Sequence, residues 1–487
     1  MQIRLKNIGI INDSTLALDG LTVITGKNNS GKTTVGKTLY AILDAVADVQ
    51  KKAQIDRNLY IRGQLAEVWQ TLTTGFRFSY KPEKSEFSRY PALCILLFGE
   101  DILNSLQDME IYAHQFEEEL RVVDSALMES YRINNLRYIS EETAGGIRFA
   151  KPQEDFDVQR QQALALLERM FNALERDPDL VDYTRESINQ TLRAEFSGQI
   201  QPVRAPDAAS LVELSESGSS GPVYFHFSVE GNSIVNDGHP VFGGVPVKKV
   251  YMVDDPFILD DFNAPRHPAR LLSHDMPEMI VTPTRIQTHN QKLKRALRMP
   301  ATSNIFEQTV LDANLKTIRE QIDSVVSGSF KFSEESNYYL QNGAKVKLGN
   351  MATGSKMFSI IKILLEKGEL DGSTMLILDE PEAHLHPQWQ NAFAEVIVLL
   401  VRELGVRVLL TTHSPNFMLA LDAHMRKYDM GDRTNFYQTE AVGGGFVRYQ
   451  CVNDNMERIY DDFLRYLSEM KELRDRYMSG RRTSDDQ

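Results

Sequence analysis

The chain has 487 residues, 42% of them hydrophobic and 25% charged, which is ample for buried cores and longer than one ordinary domain needs. Its net charge of −13 argues against a surface given over to nucleic acid, although a local basic groove is compatible with it. Two cysteines, Cys94 and Cys451, imply no disulfide framework and fit a reducing cytosol. The opening MQIRLKNIGI lacks the apolar centre of a signal peptide, and no apolar run nears the ~20 residues that span a bilayer. The expectation is a cytoplasmic protein with no membrane partner.

In chain order, residues 3–18 alternate well enough for one or two strands with a turn near Asn12–Asp13. LTVIT, Leu21–Thr25, is a short β-branched strand, and Val35, Leu39, Ile42, Leu43 and Val46 recur at helical spacing after it. Residues 51–195 read as a mostly helical insertion whose heptads are too brief for a long coiled-coil arm. Within it, Cys94 sits in the apolar run PALCILLFG and reads as a small buried hydrophobe. Strand signals return over 196–285, with a hairpin turn in VEGNS at Val229–Ser233 and a mobile loop in LSESGSSGP at Leu214–Pro222.

A helical segment covers 286–330. It includes the basic run RIQTHNQKLKRALR, Arg285–Arg298, which reads first as a solvated helix face and second as a polyanion groove. Residues 331–450 hold two or three strands with a turn at Asn342–Gly343, a helix, and two buried strands that end in polar residues. The last segment, 451–487, is an amphipathic helix with Met456, Tyr460, Phe463, Leu467, Met470 and Tyr477 on one face, followed by a tail.

Four stretches carry chemistry. GKNNSGKTT runs from Gly26 to Thr34 and contains Asn28, Asn29, Ser30, Gly31, Lys32 and Thr33. It fits G-x-x-x-x-G-K-[ST] in full, after a strand and before a helix. Backbone N–H groups and the helix N-terminus would cradle phosphates, Lys32 would reach the β- and γ-phosphates, and the Thr33 hydroxyl would bind Mg²⁺. MLILDE places Asp379 and Glu380 at the end of an apolar strand, where ligands collect in open α/β sheets. Asp379 would hold Mg²⁺ and Glu380 would act as general base towards water. VLLTTHSP ends a second such strand at His413, a candidate for contact with the γ-phosphate or the attacking water. Finally, Thr353, Gly354 and Ser355 open an amphipathic helix whose N-terminus could face the γ-phosphate on a second copy.

In chain order (the Gly26 loop, the Thr353 turn, the Asp379–Glu380 strand end, then the His413 strand end) the motifs resemble an ABC-type ATPase of the RecF, SMC and OLD branch, similar to stand-alone antiphage ATPases such as PtuA of Septu and the ATPase subunit of PARIS. The resemblance covers roughly residues 1–45 and 340–425. It implies an α/β fold, an ABC-type P-loop ATPase head of mixed sheet and helices, with a compact helical insertion. It also implies ATP and Mg²⁺ as cofactors and a head-to-tail dimer with two sandwiched ATP molecules. In each site Thr353 and Gly354 of one copy would clamp the γ-phosphate held by Lys32, Thr33, Asp379, Glu380 and His413 of the other. Thr353 stands where the family usually has serine. Glu382 to His386 stand where a dimer-contact loop follows the acidic pair, so His384 and His386 are not taken as a metal site. A glutamine lid that senses Mg²⁺ is usual in such ATPases, with Gln287 and Gln341 as loose candidates.

The residues after His413 contain no glutamate-plus-DxD cluster, which speaks against a built-in nuclease. The leading expectation is a switch ATPase of an antiphage system. It would form a homodimer or higher homo-oligomer, respond to a phage protein, and control a separate effector, a nuclease. The alternative is a DNA-repair or DNA-clamp ATPase of the RecF/SMC type, which leaves nucleic acid open as a partner.

Overall fold

The computed structural model describes residues 1–73, 76–78, 89–98, 109–134, 155–175, 179–218, 221–235, 245–263, 288–298, 305–332, 337–341 and 343–481. The chain forms two compact units, the first from residues 1–47, 184–264 and 286–487 and the second built on 48–183.

An eleven-stranded mixed sheet organises the first unit. Across it the strands run Ser233–Val235, Val223–Glu230, Ser210–Ser215, Gln2–Ile8, Ile11–Ala17, Phe446–Cys451, Thr434–Gly443, Leu21–Thr25, Arg407–Thr412, Thr374–Asp379 and Lys249–Val253. The last five are mutually parallel, while the five at the other end pair antiparallel. The parallel strands are apolar at consecutive positions because both of their faces are covered. Leu376, Leu378, Val408 and Leu410 enter one core, with the helices Thr353–Glu366, Pro387–Leu404 and Pro415–Lys427. Met375, Ile377, Leu409 and Ile24 enter the other, where the helix Lys32–Val46 supplies Val35, Leu39, Tyr40, Ile42 and Leu43.

The second unit is helical with one small hairpin, Phe76–Phe78 against Arg132–Asn134. Helix Val49–Thr73 buries Ile61, Leu65, Val68 and Leu72, one stripe at helical spacing. They join Tyr112, Phe116, Leu120, Leu167 and Met170 in a separate core.

Some elements differ from the sequence reading. The first turn falls at Gly9–Ile10, not Asn12–Asp13, because Asn7 and Gly9 take the positive φ values of 53° and 56° while Asp13 stays in its strand opposite Lys6. Cys94 is only half-buried. The part of the basic run that is described, helix His289–Arg298, keeps the solvated face read first, with Gln291, Arg295 and Arg298 exposed. It buries Leu293 and Leu297, Lys292 pairs with Asp44, and Lys294 pairs with Asp261. Arg298 donates to the Asp261 carbonyl at 3.1 Å and covers the Phe262 ring. In the C-terminal helix Glu457–Arg481 the apolar stripe is not covered along its length. Ile459 is buried with Met456 packed beside it, but Met470 and Tyr477 are exposed. The side chains of Phe463 and Leu467 lie outside the described residues, as do Asn342 and the Ser219–Ser220 part of the Ser/Gly loop.

Candidate nucleotide site

The Leu21–Thr25 strand is buried throughout and delivers the chain to the loop at Gly26. A Cβ on Gly26 would sit 1.9 Å from the Thr439 hydroxyl oxygen, so only glycine fits there. Tyr449 Oη pins the far end of the loop by donating to the Ser30 carbonyl at 3.0 Å. Helix Lys32–Val46 begins after Gly31 with no side-chain cap and no acid in its first turn, which leaves its N–H groups and positive end to a ligand. Buried Lys32 folds back over the loop. Its Nζ donates to the Gly26 and Lys27 carbonyls, each at 3.0 Å, and stands 3.5 Å from Glu380 Oε1.

Parallel pairing brings three strand ends level. Thr412 pairs with Thr25, and Asp379 pairs with Thr411. Thr33 Oγ1 donates to Asp379 Oδ2 at 2.5 Å, and the Thr411 hydroxyl donates to the other oxygen. The next residue, Glu380, takes φ 51°, a left-handed conformation uncommon for a glutamate. Its N–H donates to the Thr411 carbonyl and hydroxyl oxygens, both at 3.1 Å. This places Glu380 Oε1 3.2 Å from His413 Nδ1 as well as near Lys32. Buried Glu382 supports the histidine from behind by accepting from Thr412 Oγ1 at 2.5 Å and from the His413 N–H at 3.3 Å. Burial pushes the Glu382 carboxyl above the usual carboxylate range despite those bonds.

A cavity of about 960 Å³ is lined by residues Asn28 to Thr34 with Asp379 and Glu380. Gly26 lies at the base of the loop, and His413 reaches the cavity through Glu380. Thr353, Gly354 and Ser355 do not line it, although Met357 on the next turn of the same helix does. Thr353 begins its helix without a side-chain cap, and Gly354 packs beneath Trp389, whose ring carbon would meet a Cβ at 2.7 Å. Lys356 fixes that helix start by donating to Asp260 Oδ1 at 2.5 Å. Gln287 lies outside the described residues. Gln341 donates to Ser327 Oγ at 3.3 Å, in the three-stranded sheet of Ser329–Lys347, and does not line the cavity. His384 packs edge-on against Phe257, and His386 caps helix Pro387–Leu404. Among the described residues no group of three or more His, Cys, Asp and Glu side chains could hold a metal ion. The chemistry at Thr33 and Asp379, a hydroxyl and a carboxylate at a phosphate-type loop, nonetheless suits an oxygen-seeking divalent cation that keeps waters.

Sequence reasoning missed one feature. His289 lies buried between two acids, its Nδ1 2.7 Å from Glu195 Oε2 and its Nε2 2.9 Å from Asp254 Oδ2. Burial alone would lower its pKa, but the two carboxylates overcome this and raise it to about 9. Asp254 follows the Lys249–Val253 strand and lines the cavity. The visible signal was VDD at the end of a predicted strand. Glu195 and His289 are 94 residues apart, and nothing in their spacing links them.

A family model described as "AAA domain, putative AbiEii toxin, Type IV TA system" matches residues 257–420. The chain is 23% identical over 121 residues to "Retron Vc95 probable ATPase" of Vibrio cholerae serotype O1 biovar El Tor, covering 23% of each protein. It is 28% identical over 139 residues to "Thiamine import ATP-binding protein ThiQ" of Brucella abortus biovar 1 (strain 9-941), covering 26% of this chain and 55% of that one. The chain thus spans about a quarter and about half of the lengths of these relatives. Among solved structures, the SMC head domain from Thermotoga maritima aligns over 93% of this chain and 98% of its own, with 12% identity and a TM-score of 0.31. An SMC head bound to the C-winged helix domain of ScpA aligns over 92% and 96%, with 10% identity and a TM-score of 0.34. The chain carries a P-loop ATPase domain of mixed α/β fold, and among the described residues no helix is long and apolar enough to cross a membrane.

Proposed function

We propose that this chain is an ATP-hydrolysing switch that closes as a head-to-tail dimer and governs a separate effector in bacterial defence against phage. The observation that carries the switch is the split between two sets of residues. Lys32, Thr33, Asp379 and Glu380 converge on one cavity with His413 behind Glu380, while the helix start at Thr353–Ser355 belongs to the same ATPase unit and lines no part of that cavity. A γ-phosphate held by the first set meets the second set when another copy supplies it.

In this reading the loop N–H groups and Lys32 bind the triphosphate, and Lys32 exchanges its carbonyl partners for phosphate oxygens. Thr33 and Asp379 hold Mg²⁺, which draws negative charge off the phosphates. Glu380 accepts a proton from the attacking water, and His413 fixes the Glu380 carboxylate while Glu382 fixes His413. Thr353 and Gly354 of the partner close over the γ-phosphate through charge-assisted hydrogen bonds. Hydrolysis removes that phosphate and releases the pair. The defence role is supported by the printed description of the matching family and by the resemblance to a retron ATPase. The separate effector, expected to be a nuclease from a neighbouring gene, is part of this proposal.

The test is phage plating on cells carrying the gene with its neighbours, beside Lys32→Ala and Glu380→Gln versions. Protection that needs both residues and a neighbouring gene is expected. Protection by neither version nor wild type, together with hydrolysis stimulated by duplex DNA, would replace this reading with the repair-type ATPase.

A further inference from the structure

The helix Glu457–Arg481 is anchored at its root and bare beyond it. Ile459 is buried with Met456 packed beside it, and Arg458 donates to Gln450 Oε1 at 2.8 Å. From Leu464 to Tyr477 every described side chain is exposed, Met470 at 46%, Leu473 at 44% and Tyr477 at 73%. A helix takes most of its stability from packing an apolar face, and an exposed apolar stripe rimmed by polar residues marks an interface. Among the described residues, none of this helix lines the nucleotide cavity.

Two features name what covers the stripe. The first is its period. Met456, Ile459, Phe463, Tyr466, Met470, Leu473 and Tyr477 follow one another in the sequence at alternating steps of three and four. That is the a and d repeat of a coiled coil, whose seam faces another helix of the same repeat. The second is charge. Residues 457–469 hold four acids and two bases, whereas 470–481 hold two acids and four bases. A copy of this helix laid antiparallel sets the acidic half on the basic half; laid parallel, it sets like on like. The antiparallel register that faces Met470 with the partner's Leu473 also faces Glu469 with the partner's Arg476, and by two-fold symmetry each pair occurs twice. Glu469 and Arg476 are both exposed, at the heptad position beside the seam that sets orientation in coiled coils.

We propose that this helix is a self-association site, pairing antiparallel with the same helix of a second copy in the absence of nucleotide. The apolar seam supplies the affinity. The Glu469–Arg476 contacts set the direction, since exposed ion pairs contribute little affinity by themselves. This contact goes beyond the nucleotide-dependent pairing proposed above and does not depend on it; where both operate, ATP joins copies that are already paired.

The experiment is sedimentation velocity on the full chain at micromolar concentration in EDTA, without nucleotide. It compares wild type, Met470→Glu with Leu473→Glu, Glu469→Arg, and Glu469→Arg with Arg476→Glu. All four positions are exposed, so the fold should tolerate the changes. Wild type is expected as a dimer, and Met470→Glu with Leu473→Glu as a monomer. Glu469→Arg sets arginine against arginine twice and should weaken the dimer about tenfold. Adding Arg476→Glu should restore it, because opposite charges meet again. In a parallel pair Glu469 would face the partner's Arg474, and no rescue would follow. A monomeric wild type, or a dimer that Met470→Glu with Leu473→Glu leaves intact, would overturn the proposal. Mass gained only with a neighbouring gene's product would overturn it too and assign the stripe to that product.

Discussion

The Glu195–His289–Asp254 chain predicts a specific loss of stability as pH rises. Burial pulls the His289 pKa down, but Asp254 and Glu195 outweigh it and hold the ring charged up to about 9. The unfolded chain releases that proton near pH 6.5. A group whose pKa is higher in the folded state stabilises fully below its unfolded pKa, and loses that contribution as pH climbs through the folded value. The window is therefore pH 6.5 to about 9. The gap between 6.5 and about 9, at about 1.36 kcal/mol for each pH unit, gives an upper bound of about 3 kcal/mol. The side chain is 5% exposed, so solvent screening removes little. The Asp254 pKa is raised by burial but lowered overall by the His289 hydrogen bond and charge together with the Lys37 charge; its His289 share reports the same contact and is not added. Urea unfolding of nucleotide-free wild type and His289→Gln, followed at pH 6 and pH 9.5, isolates the Glu195–His289–Asp254 trio, because titrations outside it are common to both proteins. The wild type should exceed the variant by about 3 kcal/mol more at pH 6 than at pH 9.5. An equal difference at the two pH values would refute the reasoning.

The remaining predictions concern the cavity. Lys32→Ala should weaken ATP binding at least tenfold by isothermal titration, since a hydrogen bond to a charged group is worth about 1.5–3 kcal/mol. Glu380→Gln should bind ATP normally yet turn over roughly 10²–10⁴ times more slowly in a phosphate-release assay, the contribution of a positioned base. Gly354→Ala places a methyl 2.7 Å from the Trp389 ring. It should leave single-chain ATP binding intact and reduce ATP-dependent dimer in sedimentation runs.

How much of this was legible in the sequence depended on whether the signal was local. GKNNSGKTT lies between a strand and a helix in consecutive residues, so its context could be read directly. Thr33 and Asp379 are 346 positions apart, yet each announces itself as the end or continuation of an apolar strand, and strand ends gather on one edge of a parallel sheet. The helix after Ala352 was legible from its small-residue start, but not that Met357, rather than Thr353–Ser355, would line the cavity. Glu195, His289 and Asp254 come from three separate elements with no periodic relation, and such contacts follow from packing alone. The solvated face of the basic run was legible, but its ion pairs were not, because the acids that meet Lys292 and Lys294, Asp44 and Asp261, lie far away in sequence. At the first turn, Asn12–Asp13 looked the better turn pair, yet Asp13 is held in its strand by a two-point contact with Arg4 at 2.8 Å and 3.0 Å.

The most direct test of the switch is mass photometry of purified Glu380→Gln with and without Mg²⁺-ATP, beside the same protein carrying Gly354→Ala. The account predicts that ATP doubles the mass of the Glu380→Gln protein, and that adding Gly354→Ala restores the nucleotide-free mass. A mass that ATP leaves unchanged, in a protein shown to bind ATP, would contradict the shared site and with it the switch.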